Sequence, residues 1–235
     1  MKVCFLIITV YLVGCETKQD FESQLLNTSK DLLLEVKRGN STDSIRLELA
    51  QLDSTKLEQL NDDTSKLTFW LNIYNAYYQE LGKRDSLVDL SIFKEKQILI
   101  ANQFWSFDDI EHGILRGKEE YGYNAISVKH LDYRIHFALN CGAESCPPIA
   151  TYDKAKLDNQ LEVATNWFVN STTEIDVENK TIRISEIFDW FAEDFEATIE
   201  IPELIASYTG EDVQGFEVEY IPWSWESSLG NFREF

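Results

Sequence analysis

Four side chains of this 235-residue chain have the types and surroundings for chemistry: Cys141 and Cys146, in Asn140-Cys-Gly-Ala-Glu-Ser-Cys-Pro-Pro148, and the histidines His112 and His136. In a catalytic reading an imidazole activates a thiolate, and an amide such as Asn75 orients the ring or stabilises an oxyanion, the logic of cysteine peptidases and transglutaminase-like acyl transferases. Cys141 is then the better nucleophile. Gly142 after it can donate a backbone N–H, whereas Cys146 precedes Pro147, which has none. In a structural reading the two thiols form a disulfide that closes a six-residue loop and contributes roughly 2 kcal/mol. The readings exclude each other unless the bond is redox-labile. A metal site built from these four residues is weak by spacing, since zinc usually selects C-x₂-C pairs. No phosphate loop, dinucleotide glycine pattern or serine elbow is present, so neither metal nor cofactor is expected.

The remaining polar candidates lie on otherwise apolar segments. Asn72, Asn75 and Gln79 share one side of a helical stripe and border its core; the plainer reading is that they pin neighbouring loops by hydrogen bonds. Glu111 and His112 are adjacent on a second helix, about 100° apart, and so are not expected to serve one site as a direct pair. His136 alternates with Ile135 and Phe137 on an expected strand, from which it could face a cleft. Cys146, Glu111, Asn72 and Arg116 are secondary candidates. Convergence of the Cys141 loop, His112, His136 and Asn75 on one pocket is the expectation to test.

The elements that must position these groups read as follows. Phe21, Leu25, Leu32 and Val36 mark a first helix ending near Gly39-Asn40, with shorter helical pieces at Ser44 to Ala50 and Ser54 to Gln59. Leu67, Trp70, Leu71, Tyr74, Tyr78 and Leu81 recur at steps of three and four and give the clearest helix, with Asp63, Thr64 or Ser65 as N-cap and Gly82 as terminator. Ile92 to Trp105 reads as a hairpin, and Ser106-Phe-Asp-Asp109 as a capping box opening a helix to about Gly117. Arg134 to Leu139 is expected as a strand and 140–148 as a loop. Tyr152 to Asn170 follows as a helix, then a hairpin from Ile175 to Ile184, a short aromatic helix capped by Ser185, a helix opened by Pro202, and the aromatic run Tyr220 to Trp225. Helices dominate and the strands are short and locally paired, which predicts a mainly helical α+β domain with antiparallel hairpins.

Three segments, Phe69-Trp-Leu-Asn-Ile-Tyr-Asn-Ala76, Asp109-Ile-Glu-His-Gly-Ile-Leu-Arg116 and Arg134-Ile-His-Phe-Ala-Leu-Asn-Cys-Gly-Ala-Glu-Ser-Cys-Pro147, together resemble the family known as domain of unknown function 547, over roughly residues 50 to 230. The closing Trp223-Ser-Trp-Glu-Ser-Ser-Leu-Gly-Asn231 departs from the family's usual ending. The resemblance implies no known activity. The domain's joining to other modules in eukaryotic relatives fits a binding role as readily as an enzymatic one.

The first residues address the compartment. Lys2 followed by the apolar run Val3 to Val13, too short to span a bilayer, and then Leu12-Val13-Gly14-Cys15, resembles a lipoprotein signal of residues 1–14 with lipidation at Cys15. Residues 15–20 then form a lipidated tether and 21–235 a single domain, anchored to the cell envelope through acyl chains and expected on the outer membrane. Lys2 leaves with the signal, so 20 basic residues face 41 acidic ones and the net charge moves from −20 to −21. Such a surface repels phosphate backbones and excludes nucleic acid as a partner. Export would also leave Cys141 and Cys146 as the domain's cysteines in an oxidising compartment, which favours the bonded state. A binding or scaffold domain for a protein or small molecule is therefore the leading expectation, and a cysteine-dependent hydrolase or acyl transferase the alternative.

Overall fold

The structure, a computed structural model, describes residues 18–83 and 90–234. The expected signal and Cys15 lie outside the described residues. Helix α1 (Lys18–Arg38) already begins inside the expected tether and lies along α3 (Asp63–Gly82), with α2 (Asp43–Ala50) and a 3₁₀ turn (Ser54–Gln59) between them. Helix α3 is buried on nearly every side, as a helix apolar around most of its circumference must be. Its N-cap is Asp62, whose carboxylate accepts from the Ser65 N–H at 2.7 Å, rather than any of the three expected residues. Asp63 turns outward instead and accepts the backbone N–H groups of Lys129 and His130.

Strands β1 (Ile98–Ile100) and β2 (Gln103–Trp105) form the expected hairpin, turning on Ala101 and Asn102, both at positive φ. The capping box is present and reciprocal: Ser106 Oγ accepts from the Asp109 N–H, and the Asp109 carboxylate accepts from the Ser106 N–H. The segment it opens is a π-helix over Asp109–Leu115, closed by Arg116 N–H to Glu111 C=O, five residues back.

The expected strand at 134–139 is a 3₁₀-helix, Tyr133–Phe137. Asp132 is the reason. Its side chain accepts from the Arg134 N–H and its carbonyl from the Ile135 N–H, a local cap that outcompetes extended backbone. The next helix, α4 (Leu157–Thr172), starts five residues later than expected because Asp153 holds a turn, its side chain on Ala155 N–H and its carbonyl on Lys156 N–H.

Strands β3 (Glu174–Asp176) and β4 (Thr181–Ser185) form the second hairpin, but its sheet has a third strand, β5 (Glu217–Ile221), parallel to β4. The pairing is therefore not purely local. Between β4 and β5 run α5 (Ile187–Trp190), α6 (Ala192–Glu196) and α7 (Ile201–Thr209), the last with Pro202 at its start. Short strands gathered in two small sheets beside dominant helices make the fold α+β.

Two hydrophobic clusters divide the interior. One is built on α1, α3 and the first hairpin, the other on α4, the three-stranded sheet and α5 to α7. Ile135 belongs to the first and Phe137 to the second, so His136 sits on the seam, and Cys141 packs against both clusters.

Candidate functional site

On that seam lies a half-open cavity of about 190 Å³, and Cys141, His112, His136 and Glu111 all line it. The π-helix explains why Glu111 and His112 share it, against the expectation for an ordinary helix. An i→i+5 turn is wider, and both neighbours come round to the same opening. Glu111 accepts a hydrogen bond from the Tyr74 hydroxyl at 3.2 Å, and burial pushes its carboxyl up to about 7. His112 is held down at about 4, chiefly by burial and then by the neighbouring Arg116 guanidinium. Asp108, on the same rim, is raised by desolvation.

His136 is 2 % exposed and stacks on Phe191 with ring centroids 3.9 Å apart. Its Nε2 lies 2.9 Å from the Asp194 carboxylate, while Nδ1 has no partner among the described residues. Burial lowers its pKa despite Asp194, so the ring is neutral near pH 7. Asp194 is itself 2 % exposed, and His136 and Arg116 hold its carboxyl well below the usual range against the desolvation that opposes them. Arg116 grips both carboxylate oxygens, through Nε at 2.5 Å and Nη2 at 2.8 Å, and reaches His112 Nδ1 through Nη1 at 3.0 Å. This candidate thus acts behind the cavity wall.

Asn75 does not join the site. Its amide donates to the Ala138 carbonyl and accepts the Asn140 N–H, both at 2.9 Å. Asn72 clamps the Tyr152 backbone in the same way, and Gln79 bonds Asn140 and the Gly230 N–H. These amides pin the loops that carry the site, as the plainer reading has it. Cys141 and Cys146 form a disulfide, and Cys146 is buried behind Cys141. Gly142 sits at φ +69°, where a Cβ would approach Tyr78 to 2.7 Å, so only glycine fits this bend.

Asp194 escaped the sequence reading because Glu193-Asp194 looks like a solvated acidic pair. The available signal was its setting among Phe188, Phe191 and Phe195, an aromatic face that buries whatever it carries. The cavity's outer wall was missed as well. Trp190, Trp223 and Trp225 pack together, with centroids 5.2 to 6.2 Å apart, Trp190 and Trp225 standing 44 % and 39 % exposed at the mouth. No group of three or more His, Cys, Asp or Glu side chains among the described residues is arranged to hold a metal ion.

These features define an α+β domain with a small aromatic-walled cleft whose polar floor is close to electrically neutral at the two imidazoles. Residues 57–169 match the family model described as "Protein of unknown function, DUF547", and the similarity is to that segment of the chain. Neither the curated proteins nor the solved structures contain a match. The matched segment holds Tyr74, Glu111, His112, Arg116, His136 and both cysteines; the three tryptophans of the cleft wall, and Asp194 behind His136, lie beyond it.

Proposed function

We propose that the chain is an exported lipoprotein, held on a membrane through acyl chains on Cys15, whose domain binds a small ligand in the cleft. The observation that carries the binding reading is the cleft's chemistry. It joins neutral imidazoles, a carboxyl group near 7 and aromatic walls, with the Cys141 sulfur already bonded to Cys146. Such a surface offers neutral imidazoles and acidic groups as hydrogen-bonding partners, with stacking faces beside them, but no free nucleophile. Among the described residues no helix is long and apolar enough to cross a membrane, so attachment in this reading rests on the lipid.

Two measurements test it. Metabolic labelling with a palmitate analogue should tag the wild type and not Cys15→Ser, and the variant should leave the membrane fraction; equal labelling of both would sink the anchor. Thermal-shift screening of the oxidised domain against probes of distinct chemistry should find one class that raises Tm. His112→Phe should weaken that response.

One geometric fact supports a second reading, a cysteine-dependent hydrolase or acyl transferase. Cys141 shares the cavity with His136, and Asp194 orients that ring as the third member of a triad would. A thiol count separates the two. No free thiol in the exported protein favours binding, whereas two thiols, one alkylating fast near neutral pH, favour catalysis.

A further inference from the structure

The two halves of the disulfide are unequally exposed. Cys141 is partly exposed and lines the cavity, whereas Cys146 is buried behind it, at 4 % exposure. The Cys141 N–H donates to Cys146 Sγ at 3.1 Å. A hydrogen bond to sulfur strengthens when that sulfur carries charge, so Cys146 is the better prepared of the two to leave as a thiolate. The loop does not need the bond to keep its shape. Asn140 Nδ2 donates to the Pro147 carbonyl at 2.7 Å and so closes the same loop one residue outside the cysteines. The C-terminal segment holds it again, through Glu144 N–H on the Glu226 carbonyl and Ser228 N–H on the Gly142 carbonyl. The Gly142 N–H, which an acyl-transfer oxyanion would use, already goes to Asn140 Oδ1 at 2.9 Å.

We propose that Cys141–Cys146 is a thiol–disulfide exchange site that opens to a low-molecular-weight aminothiol entering the cavity. This goes beyond the binding reading, which concerns the oxidised cleft, and stands or falls apart from it. The incoming thiolate attacks Cys141 Sγ, the sulfur that access favours, and forms a new S–S bond there. The Cys141–Cys146 bond breaks, and its electron pair leaves on Cys146 as a thiolate held by the Cys141 N–H. A second thiolate then attacks the carrier sulfur of the mixed disulfide, so the two small thiols depart joined to each other. Two electrons have passed to the cysteine pair, which takes its protons from water. Because the loop stays clamped, Cys146 remains placed to reverse the first step. Size and charge select the carrier. The half-open cavity of about 190 Å³ behind Trp190 and Trp225 admits a small thiol and turns away the broad face of a folded dithiol protein. A thiolate approaches Asp108 on the rim of a chain of net charge −20, so a carrier with its own ammonium group meets less repulsion.

The test uses the full chain carrying Cys4→Ser and Cys15→Ser, in which Cys141 and Cys146 are the cysteines that remain. Its oxidised form is mixed with cysteamine in the absence of oxygen, quenched at intervals with N-ethylmaleimide and mapped by mass spectrometry. At the earliest times cysteamine should sit on Cys141 and N-ethylmaleimide on Cys146, preferred at least about tenfold over the reverse, the lower worth of a hydrogen bond to a charged group. The same chain unfolded in guanidinium should lose that preference, which ties it to the fold. Thioglycolate, an anionic thiol, should open the folded disulfide more slowly than cysteamine once each rate is divided by its rate on the unfolded chain. Asp108→Asn, with its circular dichroism unchanged, should narrow that gap. An even partition, attachment to Cys146, or a folded disulfide that stays closed while the unfolded one opens overturns the exchange site. Equal normalised rates for the two thiols, or a gap that Asp108→Asn leaves unchanged, overturns the aminothiol assignment. Faster opening by a Cys-x-x-Cys dithiol protein at equal concentration overturns it as well, while leaving the exchange site standing.

Discussion

Glu111 and Asp194 are two carboxyl groups under one roof with opposite pH behaviour. Glu111 has its folded pKa raised to about 7 from an ordinary 4.5, so its contribution to stability is complete below about 4.5 and is lost as pH rises towards 7. At 1.36 kcal/mol per unit the loss is at most about 3 kcal/mol, less what water at the cavity mouth screens. Glu111→Gln should therefore flatten the decline of the urea midpoint between pH 4.5 and 7, and a wild-type decline that persists in the variant would refute the assignment. Asp194 is depressed, so its contribution is present above about pH 4 and disappears on acidification. Asp194→Ala strands Arg116 in a buried site and should cost about 3–5 kcal/mol, measurable by urea unfolding at pH 7. At this scale the sequence was informative about the rarer residue types. Cysteine and histidine are rare in this chain, and Cys141, His112 and His136 line one cavity. Asn75 and Asp194 were misjudged for a shared reason: an amide or carboxylate acts by its partner, and the partners, the Ala138 carbonyl and Arg116, lie 63 and 78 residues away.

Among the elements, the π-helix Asp109–Leu115 decides the most. Its start is fixed by the capping box and by the Tyr123 hydroxyl on Asp109. Its flank is fixed by Gly113, where a Cβ would meet Tyr123 at 2.6 Å and Tyr121 at 2.8 Å. Gly113→Ala should thus cost about 1–3 kcal/mol by overpacking and turn His112 away from the cavity. A Tm within a degree of wild type, with His112 titrating as before by NMR, would show that the aromatic flank does not hold the turn. Local signals, apolar periodicity above all, located most helices but misplaced the starts of α3 and α4. They failed for the 3₁₀-helix at Tyr133–Phe137, where an apolar hexapeptide suits strand and helix alike, and for the parallel partner of β4, which the chain supplies only after three helices.

Across the whole molecule the disulfide loop is a junction. Beyond its own bond it is clamped by the C-terminal segment, with Glu144 N–H on the Glu226 carbonyl and Ser228 N–H on the Gly142 carbonyl. Cys146→Ser should cost roughly 2 kcal/mol of loop-closure entropy and leave a Cys141 thiol beside His136. Calorimetry and iodoacetamide kinetics on that variant read both effects, and a loss well above 4 kcal/mol would mean that the clamp had gone with the bond. The clamp was not legible beforehand, since most of its bonds join main-chain groups that any residues could supply, with Ser145, Glu144 and Ser224 adding side-chain bonds. Arg116 ties the molecule together more tightly still. Its fork takes His112 Nδ1 with one nitrogen and Asp194 with two others, and Asp194 in turn takes His136 Nε2. One guanidinium therefore fixes where both imidazoles keep their protons, His112 outward on Nε2 and His136 inward with Nδ1 bare. Since Arg116 belongs to the first half of the chain and Asp194 to the second, the donor and acceptor pattern of the recess is written only when the halves meet. A loosened C-terminal half would erase that pattern before it emptied the recess.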